Sequence, residues 1–294
     1  MLNFVLKLKN FKKYKSYLEK LIRIILYKVL ISSGLPKSGR LVLKQQYIER
    51  NHIIDRKKLS FYLICMHLME GWFYKEAAQM FAWIDYIQKR KGITGNLFEI
   101  GTHHGKSAIM LGLMVDPAKE QLGICDIFSK QEFNISKSGG GNRDVFIINL
   151  KSFFDGINFV HIYEKPSQEL SVQECGKCRF FHIDGGHTLE ETYNDLCIAS
   201  DSIVEDGIVV VDDFYNEFLT GVMEGVYKFL TLKKSLAPVA IGFNKLFLCR
   251  PQQQSRYLEQ IRSKGWEKYI TKRGLESAEN KLFGYKVQIF GIIK

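Results

Sequence analysis

The feature that most constrains the fold of this chain is an alternation of short apolar segments with segments of helical periodicity, which begins near residue 96. Gly207–Asp212 has no polar alternation, which is typical of a central strand covered on both faces. Strands separated by helices imply right-handed βαβ units. The predicted fold is therefore α/β, a doubly wound, mostly parallel, seven-stranded sheet flanked by helices. The predicted strands are Leu97–Ile100, Leu122–Phe128, Asn158–Tyr163, Phe180–Asp184, Gly207–Asp212, 239–249 and 285–293.

Helical spacing of apolar residues fills the intervals between these strands. Residues 59–91 predict two helices, because Gly71 interrupts the pattern. Ser136–Asn142 contains three consecutive glycines and predicts a mobile loop, which we interpret as a lid beside a site. The other predicted helices are Lys106–Val115, Asp144–Phe154, Leu189–Ile203, 217–231 and 254–264.

The positive charge of the chain is concentrated before the predicted sheet. Residues 1–60 hold 15 of the 42 Lys and Arg residues but only 3 of the 31 Asp and Glu residues, so the remainder is close to neutral. Residues 14–31 have the spacing of a basic amphipathic helix. We therefore predict a basic helical N-terminal extension (1–60) and a second domain (61–294). The favoured role of this helix is packing on its own domain or on a second subunit. The alternative is contact with an anionic membrane or a polyanion.

Several classes of protein are disfavoured by what the sequence lacks. No apolar run reaches the roughly 18 residues of a membrane-spanning helix, and no signal peptide is visible, so we expect a cytoplasmic protein, membrane-peripheral if the extension meets lipid. Cys175 and Cys178 form a lone CxxC without the second ligand pair of a zinc site. The neutral body shows no basic and aromatic groove, so no nucleic-acid partner is expected.

The segment Phe98–Ser107, FEIGTHHGKS, predicts a buried strand that runs through a glycine turn into a helix. Ligands of open α/β sheets bind at such strand ends. A phosphate-binding loop, GxxxxGK[ST], would need one more residue than this turn has, although Val209–Asp213 resembles the magnesium-binding strand of NTPases. A dinucleotide loop, GxGxxG, would need glycine where His103 stands. The NTPase remains an alternative.

A cofactor without phosphates is the interpretation that agrees best with the acids at the strand ends. Glu99 would repel a phosphate but attract a cationic, methionine-like group. Asp126 follows the next strand, where a carboxylate typically binds ribose hydroxyls. Ser167 and Gln168 follow the third strand and can bond an adenine edge. These features together describe a pocket for S-adenosylmethionine.

Over roughly residues 70–250 the sequence resembles the class I S-adenosylmethionine-dependent methyltransferases. FEIGTHHGKS and CDIF match their first motif and ribose-binding strand end, and FFHIDGGHTLEETYNDL with EDGIVVVDDF resembles the metal-dependent O-methyltransferases of small molecules and sugars, including catechol O-methyltransferase. The resemblance implies a Rossmann-like methyltransferase fold. The cofactor-binding residues that it implies are Glu99, Gly101, Thr102, Gly105, Ser107, Asp126, Ser167, Gln168 and Asp184.

The same resemblance implies a metal site and a general base. Asp184, Asp212 and Asp213 would bind Mg²⁺ or another divalent cation, and His187 would be the base where the catechol enzyme has a lysine. The chemistry of the residues agrees, because converging carboxylates repel one another unless a cation neutralises them. Oxygen ligands favour magnesium, calcium or manganese, and a metal lowers the pKa of a bound hydroxyl. His103 and His104 are alternative bases.

The sequence therefore predicts a metal-assisted O-methyltransferase that acts on a hydroxyl of a small molecule or sugar. Two other classes stay open, a P-loop-like NTPase that uses Lys106 and Asp212, and a non-catalytic binding protein on a methyltransferase fold. A homo-oligomer is compatible with the resemblance. Gly186 differs from some sugar enzymes, which carry a second acid at that position.

Overall fold

The structure, a computed structural model, describes residues 54, 56–268, 270 and 275–292. The predicted helix at 14–31 lies outside these residues, so the division at residue 60 stays a prediction. None of the helices among the described residues is both long and apolar enough to cross a membrane. The helices are α1 (Arg56–Cys65), α2 (Lys75–Arg90), α3 (Lys106–Met114), α4 (Arg143–Lys151), α5 (Val172–Cys175), α6 (Leu189–Ser202), α7 (Thr220–Leu232) and α8 (Gln254–Arg262).

One mostly parallel sheet of nine strands, counted over the described residues, has the order β3-β2-β1-β4-β5-β7-β6-β9-β8. This confirms the predicted doubly wound α/β fold, with two more strands than the predicted seven. The segment 239–249 is not one strand but an antiparallel pair, and β8 was not predicted. The strands are β1 (Asn96–Ile100), β2 (Leu122–Cys125), β3 (Val160–Tyr163), β4 (Cys178–Ile183), β5 (Ile203–Val211), β6 (Ala237–Gly242), β7 (Lys245–Cys249), β8 (Leu275–Leu282) and β9 (Tyr285–Ile292).

Side chains alternate between the two faces of each strand, so the sheet has a core on each side. Phe98 and Phe181 belong to the core that includes Leu196 of α6 and Phe229 of α7. On the opposite face, Phe180 packs on Phe81 of α2, with ring centroids 4.8 Å apart. This alternation decides which strand residues lie beneath α2.

Local signals in the sequence fix where helices begin beside the carboxyl ends of the strands. Thr188 and Glu191 form a capping box at the start of α6, in which Thr188 Oγ1 accepts the amide of Glu191 at 3.2 Å. Asn142 caps α4 by accepting the amide of Val145 at 3.0 Å. The loops before these helices are thereby held at one edge of the sheet.

A buried arginine ties α2 to the amino end of β4. Arg179 is fully buried, and its guanidinium lies 2.9 Å from the Asp85 carboxylate and 2.7 Å from the Glu120 carboxylate. Arg179 also donates to the carbonyl of Met114, at the end of α3. Because a buried charge is tolerated only when it is paired, this group fixes α2 and α3 against the sheet.

Candidate active site

A cavity of about 490 Å³ lies at the carboxyl ends of the parallel strands, where open α/β sheets bind their ligands. It receives residues from the ends of β1, β2, β4 and β5, from the glycine-rich loop and from the segment before α2. Glu99 and Gly105 are not among the lining residues. The predicted site residues that do line it are Gly101, Thr102, Ser107, Asp126, Ser167, Gln168, Asp184, His187, Asp212 and Asp213.

Gly101 occupies a position at which no other residue fits. Its φ is +79°, and a Cβ atom there would lie 1.8 Å from the carbonyl oxygen of Asp184. The amide of Asp184 donates to the carbonyl of Ile100 at 2.8 Å, so the ends of β1 and β4 are in direct contact. The glycine turn and Asp184, the first predicted metal ligand, therefore lie side by side at the carboxyl edge of the sheet.

Asp126 holds the glycine turn in place. One of its carboxylate oxygens accepts the amides of Thr102 at 2.6 Å and His103 at 2.8 Å. Burial raises the pKa of Asp126, and these backbone donors oppose the rise. The N–H groups that a phosphate would use in this turn are thus bound by a carboxylate.

Glu99 lies beneath the turn rather than at the cavity wall. It is paired in register with His182 on β4, and its Oε1 is 2.7 Å from His182 Nδ1. Burial raises the pKa of Glu99 to about 7, against the hydroxyls of Ser107 and Thr102, which lower it. Burial, followed by the charge of Lys245, lowers the pKa of His182 to about 3, so a neutral imidazole bonds to Glu99.

The three predicted metal ligands, Asp184, Asp212 and Asp213, fall into two groups that share Asp184, and each group also contains a histidine. Asp184, His187 and Asp213 each place a ligand atom within 4.8 Å of the other two, and so do His182, Asp184 and Asp212. Burial, followed by the charge of Asp212, raises the pKa of Asp184 well above its ordinary value. A divalent cation would relieve this repulsion, so the donor set fits the predicted metal.

Lys245 is a charged residue of this site that the sequence analysis missed. It opens β7, is almost fully buried, and forms an ion pair with Asp212 Oδ2. A lysine in the apolar run 237–249 was the available signal. In the turn before Lys245, Phe243 and Asn244 have φ of +57° and +66°. This turn was not predicted, because the apolar run resembles a single strand.

His187 is held between the metal-ligand group and the glycine-rich loop. Its Nε2 lies 3.3 Å from Asp213 Oδ2, and its Nδ1 lies 2.8 Å from Ser138 Oγ. Burial alone would raise the pKa of Asp213, but hydrogen bonds from His187, Asn216 and Asn244 keep it below its ordinary value. An ionised Asp213 thus orients the imidazole.

The space beside Gly186, where some sugar enzymes carry a second acid, is occupied by the carboxyl group of Glu191. A Cβ atom at residue 186 would lie 2.1 Å from the carboxyl carbon of Glu191, which lines the cavity. Glu191 was not predicted as a site residue, although the capping pattern Thr188-Leu-Glu-Glu191 was readable in the sequence.

The histidines of the turn contact the segment before α2, and they are not part of the groups formed by the acids at the ends of β4 and β5. His104 Nδ1 is 3.3 Å from Glu70 Oε2, and the rings of His103 and Trp72 lie 5.7 Å apart. Lys106 donates to the carbonyl of Gly71 at 2.6 Å. This contact between the turn and residues 70–72 joins segments more than 30 residues apart.

Comparisons with known proteins agree with this architecture. Residues 98–214 match a family model described as a methyltransferase domain. A search of the curated proteins finds no match.

Solved structures resemble the fold at low sequence identity. The O-methyltransferase NovP is 13% identical with a TM-score of 0.52, and the match covers 60% of this chain and 80% of NovP. CalS11, a TDP-rhamnose 3'-O-methyltransferase, is 13% identical (TM-score 0.44; 70% of this chain, 97% of that chain). Cofactor-bound Rv0187 from MTB is 13% identical (TM-score 0.48; 66% and 89%). Residues 98–214 thus match a methyltransferase-domain model, and the mostly parallel sheet with its flanking helices is similar to the fold of NovP.

Replacing Lys245 by Met should lower the free energy of unfolding by about 3–5 kcal/mol, because Asp212 then remains buried without its partner. The Lys245→Met/Asp212→Asn double variant should lose less than the sum of the single changes. Urea unfolding with a chelator present measures this. Lys286→Met is the control, because its pair with Glu279 is exposed and should be worth at most about 1 kcal/mol. Equal losses in Lys245→Met and Lys286→Met would contradict the buried pair.

Glu99 should make the protein less stable as the pH rises. Its folded-state pKa is raised from 4.5 to about 7, so the stabilisation present below the unfolded pKa is lost as the pH rises through the folded one. Relative to Glu99→Gln, the wild-type free energy of unfolding should fall between pH 5 and pH 8, by on the order of 3 kcal/mol. Glu132→Gln, at an exposed residue, is the control. A difference that does not vary with pH would show that Glu99 is ionised throughout.

Proposed function

We propose that this chain, whose residues 98–214 match a methyltransferase-domain model, is an S-adenosylmethionine-dependent, divalent-metal-assisted O-methyltransferase acting on a hydroxyl of a small molecule or sugar. The observation that carries the proposal is one cavity that contains both the acid beside the glycine turn, Asp126, and the group Asp184, His187 and Asp213. A cofactor subsite and a metal subsite at neighbouring strand ends are what metal-assisted methyl transfer to a hydroxyl requires.

The contacts of the turn argue against the NTPase alternative. A phosphate-binding loop needs its backbone N–H groups and its lysine directed at the ligand. In this turn Asp126 accepts the amides of Thr102 and His103, and Lys106 is engaged by the carbonyl of Gly71. A carboxylate beside these amides would repel a phosphate and favours a cofactor with hydroxyl and cationic groups.

Asp126, Ser167 and Gln168 follow β2 and β3 and would bind the nucleoside part of the cofactor. Thr102 and Ser107 line the cavity at the turn, and Gly101 lets the backbone approach closely. Glu99 lies beneath this wall, where the hydroxyls of Ser107 and Thr102 lower the pKa of its carboxyl group. We retain Glu99 and Gly105 as residues that shape the cofactor site.

Asp184 and Asp213 are the side chains best placed to bind the divalent cation. The Nζ of Lys245 contacts Asp212 Oδ2, and the amide of Asp213 donates to Asp212 Oδ1 at 2.8 Å. Asp212 therefore enters the proposed ligand set with part of its charge already compensated. When bound, S-adenosylmethionine supplies an electrophilic methyl group and the cation lowers the pKa of the acceptor hydroxyl.

His187 is the proposed general base. Donation of its Nε2 proton to Asp213 leaves the lone pair on Nδ1, which faces Ser138 across 2.8 Å. An acceptor hydroxyl that replaced the Ser138 hydroxyl would stand within proton-transfer distance of Nδ1. Asp213 would then stabilise the imidazolium that forms.

The outer wall of the cavity favours an acceptor with an apolar or ring-shaped body. Trp72, Tyr74 and Phe133 line it and are 78%, 60% and 46% exposed. Exposed aromatic side chains around a polar centre are typical of small-molecule sites, because the rings pack on the ligand while polar groups orient it.

Calorimetry should show binding of S-adenosylhomocysteine and no comparable binding of ATP. Asp126→Asn should weaken the binding of S-adenosylhomocysteine by about 10–100-fold, the effect of losing hydrogen bonds to a charged acceptor. Asp144→Asn, at an exposed residue on α4, is the control. Tight ATP binding without S-adenosylhomocysteine binding would contradict the proposal.

Methyl transfer from labelled cofactor, screened over hydroxylated sugars and phenols, should stop on chelation and return with Mg²⁺ or Mn²⁺. Asp184→Asn should abolish Mn²⁺ binding measured by electron paramagnetic resonance, whereas Asp201→Asn, an exposed acid of α6, should retain it. His187→Gln should retain S-adenosylhomocysteine binding but lower kcat by about 10²–10⁴-fold. Activity unaffected by the chelator would contradict the proposed role of the metal. Binding of cofactor without turnover of any acceptor would favour the non-catalytic alternative.

A further inference from the structure

We propose that Glu70, His103 and His104 form a second metal site, for Zn²⁺ or a similar borderline transition-metal ion, at the mouth of the cavity. The three side chains place ligand atoms within 4.8 Å of one another. This site shares no residue with the acids at the ends of β4 and β5, so it does not depend on the proposed methyl transfer.

The distance between two of the three ligand atoms is that of a tetrahedral zinc site. Zinc bonds to nitrogen and oxygen of about 2.0–2.1 Å separate two ligands of a tetrahedron by about 3.3 Å. Glu70 Oε2 and His104 Nδ1 are already 3.3 Å apart. The Glu70 side chain is 74% exposed and is therefore able to move toward His103 at little cost in packing.

The backbone around all three ligands is anchored by hydrogen bonds. Lys106 Nζ donates to the carbonyl of Gly71, next to Glu70. The amide of His103 is bound by Asp126, and the carbonyl of His104 accepts Asn149 Nδ2 at 2.8 Å. His103 has a φ of +52°, a left-handed conformation that directs both imidazoles of consecutive residues to one place. Their ring centroids are 3.9 Å apart.

The donor chemistry distinguishes this site from the one between the acids. Two imidazole nitrogens and one carboxylate suit zinc, cobalt, nickel or copper, whereas magnesium prefers oxygen ligands. Histidine binds metal in its neutral form through a ring nitrogen. Three protein ligands leave a fourth position open to water.

A cation bound there would tie the segment before α2 to the glycine turn. Glu70 and His103 both line the cavity, and Trp72 packs near His103. The bound ion would fix the wall formed by residues 70–72 against the turn.

The test is zinc calorimetry on the full chain in excess Mg²⁺, in an Asp184→Asn/Asp213→Asn background that removes the other ligand group. We expect one zinc ion per chain, and Co²⁺ in its place should give the visible absorption of a nitrogen-ligated ion. Glu70→Gln, His103→Asn and His104→Gln should each weaken zinc binding by more than about tenfold. Asparagine tolerates the left-handed backbone at 103, and Glu70 is exposed, so these two variants should fold.

His67→Asn is the matched control, because His67 is an exposed histidine of the neighbouring turn. Loss of zinc binding in the three ligand variants with retention in His67→Asn supports the site. Zinc binding retained in either His103→Asn or Glu70→Gln overturns it, and so does displacement of zinc by Mg²⁺. Absence of zinc binding in the background protein would show that Glu70 and His104 form an ion pair only.

Discussion

The close contact between Gly101 and the carbonyl of Asp184 is the constraint on which the rest of the site depends. Parallel pairing of β1 with β4 runs to Ile100 and Ile183, and the following residue of β1, Gly101, lies against the backbone of Asp184 without space for a side chain of its own. The glycine turn and the acid loop therefore leave the sheet side by side. A cofactor held by the turn and an acceptor held beside the acids would be neighbours for this reason.

The acids at this edge are compensated in different ways, and the difference assigns them different roles. Asp126 is bound by the amides of the turn, Asp212 by the buried ammonium of Lys245, and Asp213 by His187 and two asparagine side chains. The pKa of Asp184 is raised by burial and by the charge of Asp212. A cation in the site would therefore favour the ionised form of Asp184.

The sequence predicted the parallel strands and the acids that follow them, because apolar runs and their polar ends are local patterns. The sequence did not show that the Glu99 side chain lies beneath the turn. The alternation of side chains along β1 decides this, but only once it is known which residues of β1 are covered by α2. The polar strand β8 (LESAENKL) gave no apolar signal, and the hairpin of β6 and β7 lacked a strong turn signal. Lys245 was missed for the same reason, because its contact with Asp212 exists only once the hairpin has formed.

The contact between the glycine turn and residues 70–72 is non-local, and both histidines of the turn take part in it. At His103 a dinucleotide-binding loop has glycine, which allows a pyrophosphate to approach. Here His103 has an imidazole, which packs near Trp72. Lys106, which a phosphate-binding loop would direct at its ligand, donates to the carbonyl of Gly71 instead. The side chains that make the turn unsuitable for phosphate thus contact the segment before α2. This segment contains the aromatic residues Trp72 and Tyr74, which line the cavity. The two residues whose contacts differ from those of a phosphate-binding turn, His103 and Lys106, therefore hold the outer wall of the cavity in place.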